Sequence, residues 1–380
     1  MWFIRDITKD KQITRQDFDE AASKISEMLV SYGYKRGHRL GIRSHWTIDN
    51  LIRYVGIKNV CSPVVVDRNL TPTECKWYDV DIWEDIIPMP RQEAQCADNE
   101  VLGLCSSGTT DKPRIIPWTK EIYDRQFWQY KNYLELNDNE RTMTPVSFWS
   151  CFGQEIFNVT CDIDGQFVIC DPQDWPQVNP TWLAGSPASI LHMTKVSGNS
   201  NVHHIRTNAA PMPQPWYEKI KRCFGAHVVH CYGLNETGTA VSMVEEWREG
   251  SSGKANPGMD VKIVDNEIVV NKFASGDLGY IDDDGYLYIN GRKKEIFHYT
   301  NGKKVMPYEI EQPALLAGAS DACAYFLQDK EKIVCFYTGE LEHTPDSSKN
   351  AKYLKVDTIV RKAGKLRREE TFKINTNVIH

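Results

Sequence analysis

The first part of the chain carries apolar residues at the spacing of a single helix face. Between residues 14 and 32 they recur every three or four positions, which predicts an amphipathic helix. Thr14, followed three residues later by Asp17, has the form of an N-terminal cap, and Gly33 can end the helix. We therefore expect one face of this helix to be buried.

Helix and strand patterns then alternate along the chain. Residues 39–43 predict a short strand, residues 48–58 a second helix, and residues 61–66 a buried strand with three consecutive valines. Further on, residues 215–224 predict a helix, and residues 227–231 predict a strand that runs into a glycine turn. This alternation is typical of an α/β fold, in which helices cover the faces of β-sheets.

The pattern changes beyond residue 261. Residues 261–265, 268–270 and 286–289 alternate as short strands, and turn-forming residues separate them at Asp265-Asn266 and at residues 282–285. This region predicts a β-rich subdomain that follows the α/β part of the chain.

The composition and net charge bear on whether the protein binds nucleic acid. The chain has 380 residues, is 41% hydrophobic and 25% charged, and carries a formal net charge of −6, which gives no reason to expect a polyanion partner. Basic residues cluster between Lys349 and Arg368, but no nucleic-acid recognition motif accompanies them. We therefore expect no nucleic-acid partner. The alternative is that the basic cluster forms an RNA-binding surface, which predicts that the protein binds nucleic acid in a salt-sensitive way.

The cysteines and the longest apolar runs bear on the compartment. The 11 cysteines are scattered without a Cys-x-x-Cys pair, which favours buried, reduced thiols in a cytosolic protein. No run of about 20 apolar residues occurs, and the first ten residues carry charges instead of a long apolar run. We expect a cytoplasmic protein with no membrane partner and no signal peptide.

A hydroxyl-rich segment gives the first chemical signal. Between the apolar run that ends at Leu104 and the basic Arg114, hydroxyls and a glycine are packed together. Glycine lets the backbone approach an anion, and neighbouring N–H groups can form a cradle for it. The spacing differs from a Walker loop. The segment predicts a phosphate-binding loop, and its candidate contacts are Ser106, Ser107, Gly108, Thr109, Thr110 and Lys112.

Further chemical segments follow in a fixed order. Tyr232 and Gly233, then Asn235 and Glu236, come after a predicted strand. Asp277 lies in an Ala-Ser-Gly-Asp-Leu-Gly segment. Arg292 lies in a Gly-Arg-Lys-Lys-Glu segment, Gly302 begins a Gly-Lys-Lys-Val-Met-Pro-Tyr-Glu-Ile-Glu segment, and Lys365 follows a glycine near the end of the chain.

In this order the segments resemble the motifs of the AMP-forming superfamily of acyl-CoA synthetases, peptide-synthetase adenylation domains and luciferases. The resemblance implies ATP and Mg²⁺ as cofactors. It also implies that Tyr232 stacks near adenine and that Glu236 binds Mg²⁺. Asp277 then holds the ribose hydroxyls, Arg292 contacts ribose or phosphate, and Lys365 is the adenylation lysine.

The resemblance assigns weaker roles by order along the chain. Asn208, Ala209 and Ala210 take the place of the adenine-side segment, with Asn208 near the substrate pocket. Trp149 takes the place of a residue that lines the acyl pocket, where amino-acid-activating relatives place an aspartate nearby. This replacement favours an aryl or aliphatic acid over an α-amino acid.

The implied architecture is a large adenylation domain over residues 1–291 and a small, mobile α+β C-terminal domain over residues 292–380, with Lys294 as the hinge. The implied reaction activates a carboxylic acid as an acyl-adenylate, releases pyrophosphate and then passes the acyl group to a thiol. The thiol is either coenzyme A or the phosphopantetheine arm of a carrier protein.

Several positions depart from the resemblance. Asp111 stands where glycine is usual, Arg114 where lysine is usual, and Asn235 where threonine is usual. The phosphate loop also arrives early in the chain, so the N-terminal region is shortened relative to typical members. These departures motivate a second hypothesis, a non-catalytic nucleotide-binding homologue that acts as a scaffold or regulator.

Overall fold

The computed structural model describes residues 2–67, 81–83, 96–105, 114–198, 200–298, 300, 304–327, 332–341 and 358–361. The chain divides into two compact units. Unit 1 is Met1–Ala210 with Ile220–Ala240, and unit 2 is Pro211–Lys219 with Val241–His380.

Unit 1 is an α/β body, as the alternating pattern predicts. Its helices are α1 (Arg15–Ser31), α2 (Ile48–Val60), α3 (Lys120–Tyr133), α4 (Cys151–Asp162), α5 (Trp175–Val178) and α6 (Pro187–Met193). Its strands are β1 (Trp2–Asp6), β2 (Lys11–Thr14), β3 (Arg39–Arg43), β4 (Ser62–Val66), β5 (Asp81–Ile82), β6 (Glu100–Cys105), β7 (Ile115–Thr119), β8 (Arg141–Met143), β9 (Gln166–Ile169), β10 (Trp182–Gly185), β11 (His204–Thr207) and β12 (His227–Leu234).

The strands of unit 1 form two sheets. One runs in the order β12-β11-β10-β8-β9-β1-β2 and is parallel except for the last pair. The other runs β5-β3-β4-β6-β7 and is parallel except for the β6–β7 hairpin. Parallel sheets need helical crossovers, which explains why helices alternate with strands in this unit.

Local sequence signals locate the first elements accurately. Helix α1 begins after Thr14, whose hydroxyl accepts a hydrogen bond from the backbone N–H of Asp17 at 3.1 Å. It ends before Gly33, which has φ +90°. The strand predicted at residues 39–43 is confirmed as β3, and the helix predicted at residues 48–58 runs two residues further, to Val60. The strand predicted at residues 61–66 is confirmed from Ser62 and is buried throughout.

Aromatic side chains form part of the core of unit 1. Tyr54, Phe148, Phe157 and Phe167 are almost fully buried, and their rings pack edge to face, with centroids 5.2–6.2 Å apart. Burying one such side chain stabilises a fold by about 1.5–3 kcal/mol. Phe148 therefore anchors the segment that leads into α4.

Unit 2 is rich in β-structure, as predicted beyond residue 261. One of its sheets runs β15-β16-β17-β18-β14-β13, and a second runs β21-β22-β23. The helices in its described part are α7 (Gln214–Phe224) and α8 (Pro307–Leu316), and α7 and β13 each have residues in both units. The strands are β13 (Gly238–Ser242), β14 (Ser251–Ala255), β15 (Val261–Val264), β16 (Glu267–Val270), β17 (Phe273–Ile281), β18 (Tyr286–Arg292), β19 (Phe297–His298), β20 (Lys304–Val305), β21 (Ala319–Leu327), β22 (Lys332–Gly339) and β23 (Thr358–Arg361).

The hairpin between β15 and β16 shows why the turn residues are polar. Asp265 and Asn266 both have positive φ, 51° and 65°, which is the conformation required by the two-residue turns that match strand twist. Asp and Asn adopt this conformation more readily than other non-glycine residues. The turn predicted at Asp265-Asn266 is therefore confirmed.

One boundary differs from the sequence prediction. The strand predicted at residues 227–231 continues to Leu234, so Tyr232 and Gly233 belong to β12 and not to a turn. A side chain at Gly233 would meet the Cα of Thr239 at 2.6 Å and the carbonyl of Gly238 even more closely. Glycine is needed here for close approach of two strands, a role that local propensity does not reveal.

The cysteines of the described residues are less buried than the sequence analysis expects. Ten cysteines are described, and all are in the thiol form. Several are buried, but Cys223 is exposed and Cys96, Cys151, Cys161 and Cys170 are partly exposed, so the expectation of general burial is too strong. Within the described part of the chain, every helix is too short or too polar to span a membrane.

Candidate active site

The carboxyl ends of β8, β10, β11 and β12 lie at one edge of the parallel sheet of unit 1. Open α/β sheets bind ligands at this edge. Asn208 directly follows β11, and Asn235 and Glu236 directly follow β12. The topology thus brings the ends of two predicted motifs to one edge.

The predicted phosphate loop, residues 106–113, lies outside the described residues. Its flanks are described and form the β6–β7 hairpin, in which Cys105 pairs with Ile115 and Leu104 with Ile116. Leu102, Leu104, Ile116 and Trp118 form a small buried cluster that holds the two strands. The hairpin therefore fixes where the loop leaves the sheet and where it returns.

Arg114 and Glu236 join the end of the phosphate loop to the acidic turn after β12. The Arg114 guanidinium donates from Nη2 to Glu236 Oε1 at 3.0 Å, across 122 residues of sequence. The Arg114 side chain is 71% exposed and that of Glu236 is 27% exposed. Exposed ion pairs contribute little to stability. The pair therefore shows that the two segments lie close together, and it adds little to the free energy of unfolding.

Helix α3 and strand β7 support the turn that carries Asn235 and Glu236. Trp118 Nε1 donates to the Asn235 carbonyl at 2.7 Å. Gln126 accepts from the backbone N–H of Thr239 at 2.8 Å, and Gln129 Nε2 donates to the Thr239 carbonyl at 3.0 Å. Buried backbone groups need such partners. Sequence analysis missed these side chains, although two glutamines three residues apart on α3 mark a polar stripe on a helix face.

A buried cluster of charged and polar side chains also contacts Thr239. Arg206 on β11 is fully buried, donates to Thr239 Oγ1 at 2.8 Å, and places its guanidinium 3.8 Å from the centroid of the Tyr130 ring. The Tyr130 hydroxyl donates to Glu155 on α4 at 2.9 Å. Burial raises the pKa of Glu155 above its ordinary value. The cluster connects α3, α4 and β11 and was not predicted from the sequence.

The segment after β11 is locally strained. Ala209 has φ +73°, a left-handed conformation that costs a residue with a Cβ about 1–2 kcal/mol. The Asn208 side chain accepts from the Ala209 backbone N–H at 2.7 Å. Ala209 and Ala210 are both exposed. The chain thus holds an alanine where its backbone favours glycine.

We expect Ala209→Gly to stabilise the protein by about 1 kcal/mol, because relief of left-handed strain exceeds the added backbone entropy of glycine. The thermal midpoint should rise by about 2 °C. Ala210→Gly is the matched control, since Ala210 lacks a positive φ, and it should lower stability. If both variants shift stability in the same direction, the strain at Ala209 is not the cause.

His230 is buried on β12 beside the same segment. Its Nδ1 lies 2.9 Å from Thr207 Oγ1, and burial lowers its pKa to about 4. The folded protein therefore keeps His230 neutral at pH values where the unfolded chain, with a pKa near 6.5, takes up a proton. The stabilisation is present above pH 6.5 and is lost as the pH falls toward 4.

We expect His230→Asn to flatten this acid sensitivity. Between pH 7.5 and pH 5 the wild type should lose about 2 kcal/mol more unfolding free energy than the variant. Urea denaturation at both pH values measures the difference, and His192→Asn, at an exposed position on α6, should behave like wild type. An equal loss in wild type and His230→Asn would contradict this account.

Trp149 lies between the buried Phe148 and the start of α4. It is partly buried, and its carbonyl accepts a long hydrogen bond, 3.4 Å, from Gln154. Ser150 caps α4 by accepting from the Gly153 backbone N–H at 3.0 Å. The cap and the Phe148 anchor determine the backbone at Trp149.

In unit 2, Asp277 and Arg292 face each other across the β17–β18 pair. They are direct partners in the strand register, and Arg292 Nε donates to Asp277 Oδ1 at 2.9 Å. The Asp277 side chain is 9% exposed and that of Arg292 is 58% exposed. The Ser275 hydroxyl accepts from the Asp277 backbone N–H at 3.0 Å. The structure therefore brings together two residues that sequence analysis placed in separate motifs.

The segment that contains the predicted hinge follows β18 directly. Residues Lys293–Glu295 form a 3₁₀ turn, in which Lys294 is exposed. Lys293 Nζ donates to Glu267 Oε2 at 3.0 Å, and the Gly276 N–H donates to the other carboxylate oxygen at 2.9 Å. The hydrogen bond from Lys293, followed by that from Gly276, lowers the pKa of Glu267. Lys365 lies outside the described residues.

The carboxylates of each unit suit the ligands that the sequence implies. Glu236 is partly exposed, and among the described residues its Oε2 accepts no hydrogen bond. Carboxylate oxygens with access to solvent are the ligands that Mg²⁺ prefers. The Asp277 carboxylate can accept two hydrogen bonds from vicinal hydroxyls. Unit 1 thus offers a site for a cation, and unit 2 offers an acceptor for a diol.

Known proteins are similar to this chain over the range that contains these motifs. The model of a family described as AMP-binding enzyme matches residues 58–292. Oxalate–CoA ligase of Arabidopsis thaliana is 24% identical over 300 residues, which cover 63% of this chain and 57% of the relative. The chain spans about half the length of curated relatives that it matches.

Solved structures share the fold at low identity. An anthranilate CoA ligase in complex with anthranoyl-AMP has a TM-score of 0.80 and 17% identity, covering 100% of this chain and 95% of the other. O-succinylbenzoate coenzyme A synthetase of Bacillus subtilis, in complex with ATP and magnesium ion, has a TM-score of 0.77 and 15% identity, covering 95% and 92%. These similarities establish the α/β fold.

Proposed function

Because the chain belongs to the AMP-binding enzyme family, we propose that it activates a carboxylic acid with ATP to an acyl-adenylate, releases pyrophosphate and transfers the acyl group to a thiol. The observation that carries this proposal is the Arg114–Glu236 ion pair at 3.0 Å. It joins the end of the phosphate-loop motif to the acidic motif within one unit. Two motifs that are distant in sequence, and that adjoin strands of different sheets in unit 1, thereby meet.

The main barrier to the proposed reaction is electrostatic repulsion between the acid and the phosphates of ATP. The oxygen of the acid attacks the α-phosphorus of ATP, the bond to the β-phosphate oxygen breaks, and pyrophosphate leaves. Two anions must meet, so positioned cations and N–H donors lower the barrier. We assign this stabilisation to the phosphate loop with Ser106, Thr109 and Lys112, and to Lys365. Mg²⁺ held by Glu236 would neutralise phosphate charge.

The proposal assigns a nucleotide contact to residues of each unit. In the proposal, Tyr232 and the segment at Ala209 contact the adenine side, and Asn235 donates an amide hydrogen bond to phosphate. Asp277 accepts the ribose hydroxyls. Arg292, which is 58% exposed and already paired with Asp277, orients that carboxylate and reaches toward ribose or phosphate.

We propose that residues 292–380 act as a lid that pivots at Lys294. Lys294 is exposed in the 3₁₀ turn Lys293–Glu295 that follows β18. A rotation there would exchange Lys365 for a thiol-transfer face, so that one pocket serves two reactions.

The acid in the proposal is an aryl or aliphatic acid, and the acceptor is coenzyme A. Trp149, partly buried between Phe148 and α4, supplies an aromatic surface at a place where α-amino acid recognition needs a carboxylate. Several relatives and fold neighbours are named as CoA ligases, which supports coenzyme A over a carrier protein.

Two measurements test this function. Exchange of labelled pyrophosphate into ATP, screened over aryl, aliphatic and amino acids, should respond to an aryl or aliphatic acid. Mass spectrometry of the same mixtures should detect the acyl-adenylate, and added coenzyme A should convert it to a thioester. Folded protein that binds ATP but supports no exchange with any acid would favour a scaffold or regulatory role instead.

A further inference from the structure

A group of metal-binding side chains lies at the other edge of the parallel sheet of unit 1. Glu140 directly precedes β8, and His203 and His204 lie at the start of β11. One potential ligand atom from each of the three side chains lies within 4.8 Å of the other two. Because β11 is four residues long, this edge is separated from the candidate active site by about 13 Å of strand.

Glu140 is buried and is held in one orientation. Its side chain is 2% exposed, and the Thr181 hydroxyl donates to Oε2 at 2.6 Å. The same hydroxyl accepts from the Arg141 backbone N–H at 2.8 Å, so its proton is directed to the carboxylate. A hydroxyl that orients a carboxylate in this way is typical of the surroundings of a metal ligand.

The contacts of His203 indicate which ring nitrogen is available. Nδ1 lies 3.3 Å from the Asn201 carbonyl, a contact that suits the tautomer with its proton on Nδ1. Nε2 lies 3.1 Å from Glu140 Oε1. In that tautomer the Nε2 lone pair faces the carboxylate, and a metal ion between the two atoms is bound by both.

His204 adds a second imidazole. Its Nδ1 is buried and makes no hydrogen bond to any described residue, which is an unfavourable state for a polar atom. A third imidazole lies nearby: the ring centroid of His227, at the start of β12, is 6.4 Å from that of His204.

We propose that Glu140, His203 and His204 bind one Zn²⁺ ion that ties the start of β8 to the start of β11. Two imidazoles and one carboxylate form a donor set that zinc accepts, with water or a further side chain as the fourth ligand. Zinc bonds of about 2.0–2.2 Å place tetrahedral ligand atoms about 3.3 Å apart, close to the 3.1 Å between His203 and Glu140. The ion would stabilise unit 1 without contacting the acid or the nucleotide.

Metal binding to the full chain tests the proposal. Protein purified without a histidine tag and stripped with chelator should bind one equivalent of Zn²⁺ by calorimetry. The double variant His203→Ala/His204→Ala should bind it at least 100-fold more weakly, and Thr181→Val about 10-fold more weakly, because it loses the group that orients Glu140. Zn²⁺ should raise the thermal midpoint of wild type and not that of the double variant.

His192→Ala, at an exposed histidine on α6, is the matched control and should bind like wild type. Cobalt(II) substitution identifies the ligands, because tetrahedral nitrogen and oxygen ligation lacks the thiolate charge-transfer band that free cysteines would give. Equal Zn²⁺ affinity in wild type and the double variant, or a thiolate band as the only signal, would overturn the proposal. Absence of Zn²⁺ binding in wild type would also overturn it.

Discussion

Glu236→Gln should reduce the rate of acid-dependent pyrophosphate exchange by about 10²–10³-fold, the loss typical when one charge-stabilising group is removed from a transition state. The amide keeps the size of the side chain but is a much weaker ligand for Mg²⁺ than a carboxylate. Raising the Mg²⁺ concentration should recover part of the activity. Initial rates at several Mg²⁺ concentrations measure both effects.

The same substitution also removes the ion pair with Arg114, so the two roles of Glu236 must be separated. Arg114→Gln breaks the pair and leaves the carboxylate, and it should cost far less than Glu236→Gln, with no change in Mg²⁺ dependence. Glu121→Gln, at a side chain that is 87% exposed on α3, should behave like wild type. If Arg114→Gln and Glu236→Gln lose activity equally, Glu236 acts through Arg114 and not through a metal.

Asp277→Asn should raise the KM for ATP by about 10–100-fold, because hydrogen bonds to a charged acceptor contribute about 1.5–3 kcal/mol each. The asparagine retains one acceptor oxygen and the shape of the side chain, so the strand pair should persist. Arg292 is more than half exposed and can be solvated when its partner loses charge. Circular dichroism and thermal denaturation should therefore change little.

A nucleotide without ribose hydroxyls shows whether Asp277 contacts the ribose. Wild type should use 2′,3′-dideoxy-ATP about 10–100-fold less efficiently than ATP, which corresponds to about 1.4–2.7 kcal/mol. Asp277→Asn should discriminate much less between the two nucleotides. If the variant keeps the full preference for ATP, then Asp277 supports the strand pair and does not bind the ribose.

The sequence predicted those features whose causes lie within a few neighbouring residues. Thr14 caps α1 because the Asp17 N–H is one helical turn away, and Asp265-Asn266 turns the chain because both residues tolerate positive φ. The motif order around Asp277 and Arg292 was also recognisable from residue types and spacing. Each of these signals can be detected in a short window of sequence.

Other features depend on which strands become neighbours. Trp118, Gln126 and Gln129 hold the turn after β12 because α3 and β7 pack against it. The local sequence around these residues does not predict that Asn235 and Thr239 are their hydrogen-bond partners. Sequence analysis likewise ended β12 too early, because the need for glycine at position 233 arises from a neighbouring strand.

The sequence by itself determined the local elements, the β-rich character beyond residue 261 and the order of the chemical motifs, since periodicity and turn chemistry act over a few residues. Only the tertiary structure decided that Arg114 meets Glu236, that Ala209 is left-handed, and that Glu140 lies beside His203 and His204. These outcomes depend on strand order and crossover connections. They bring together residues that are far apart in the chain, and no local pattern carries that information.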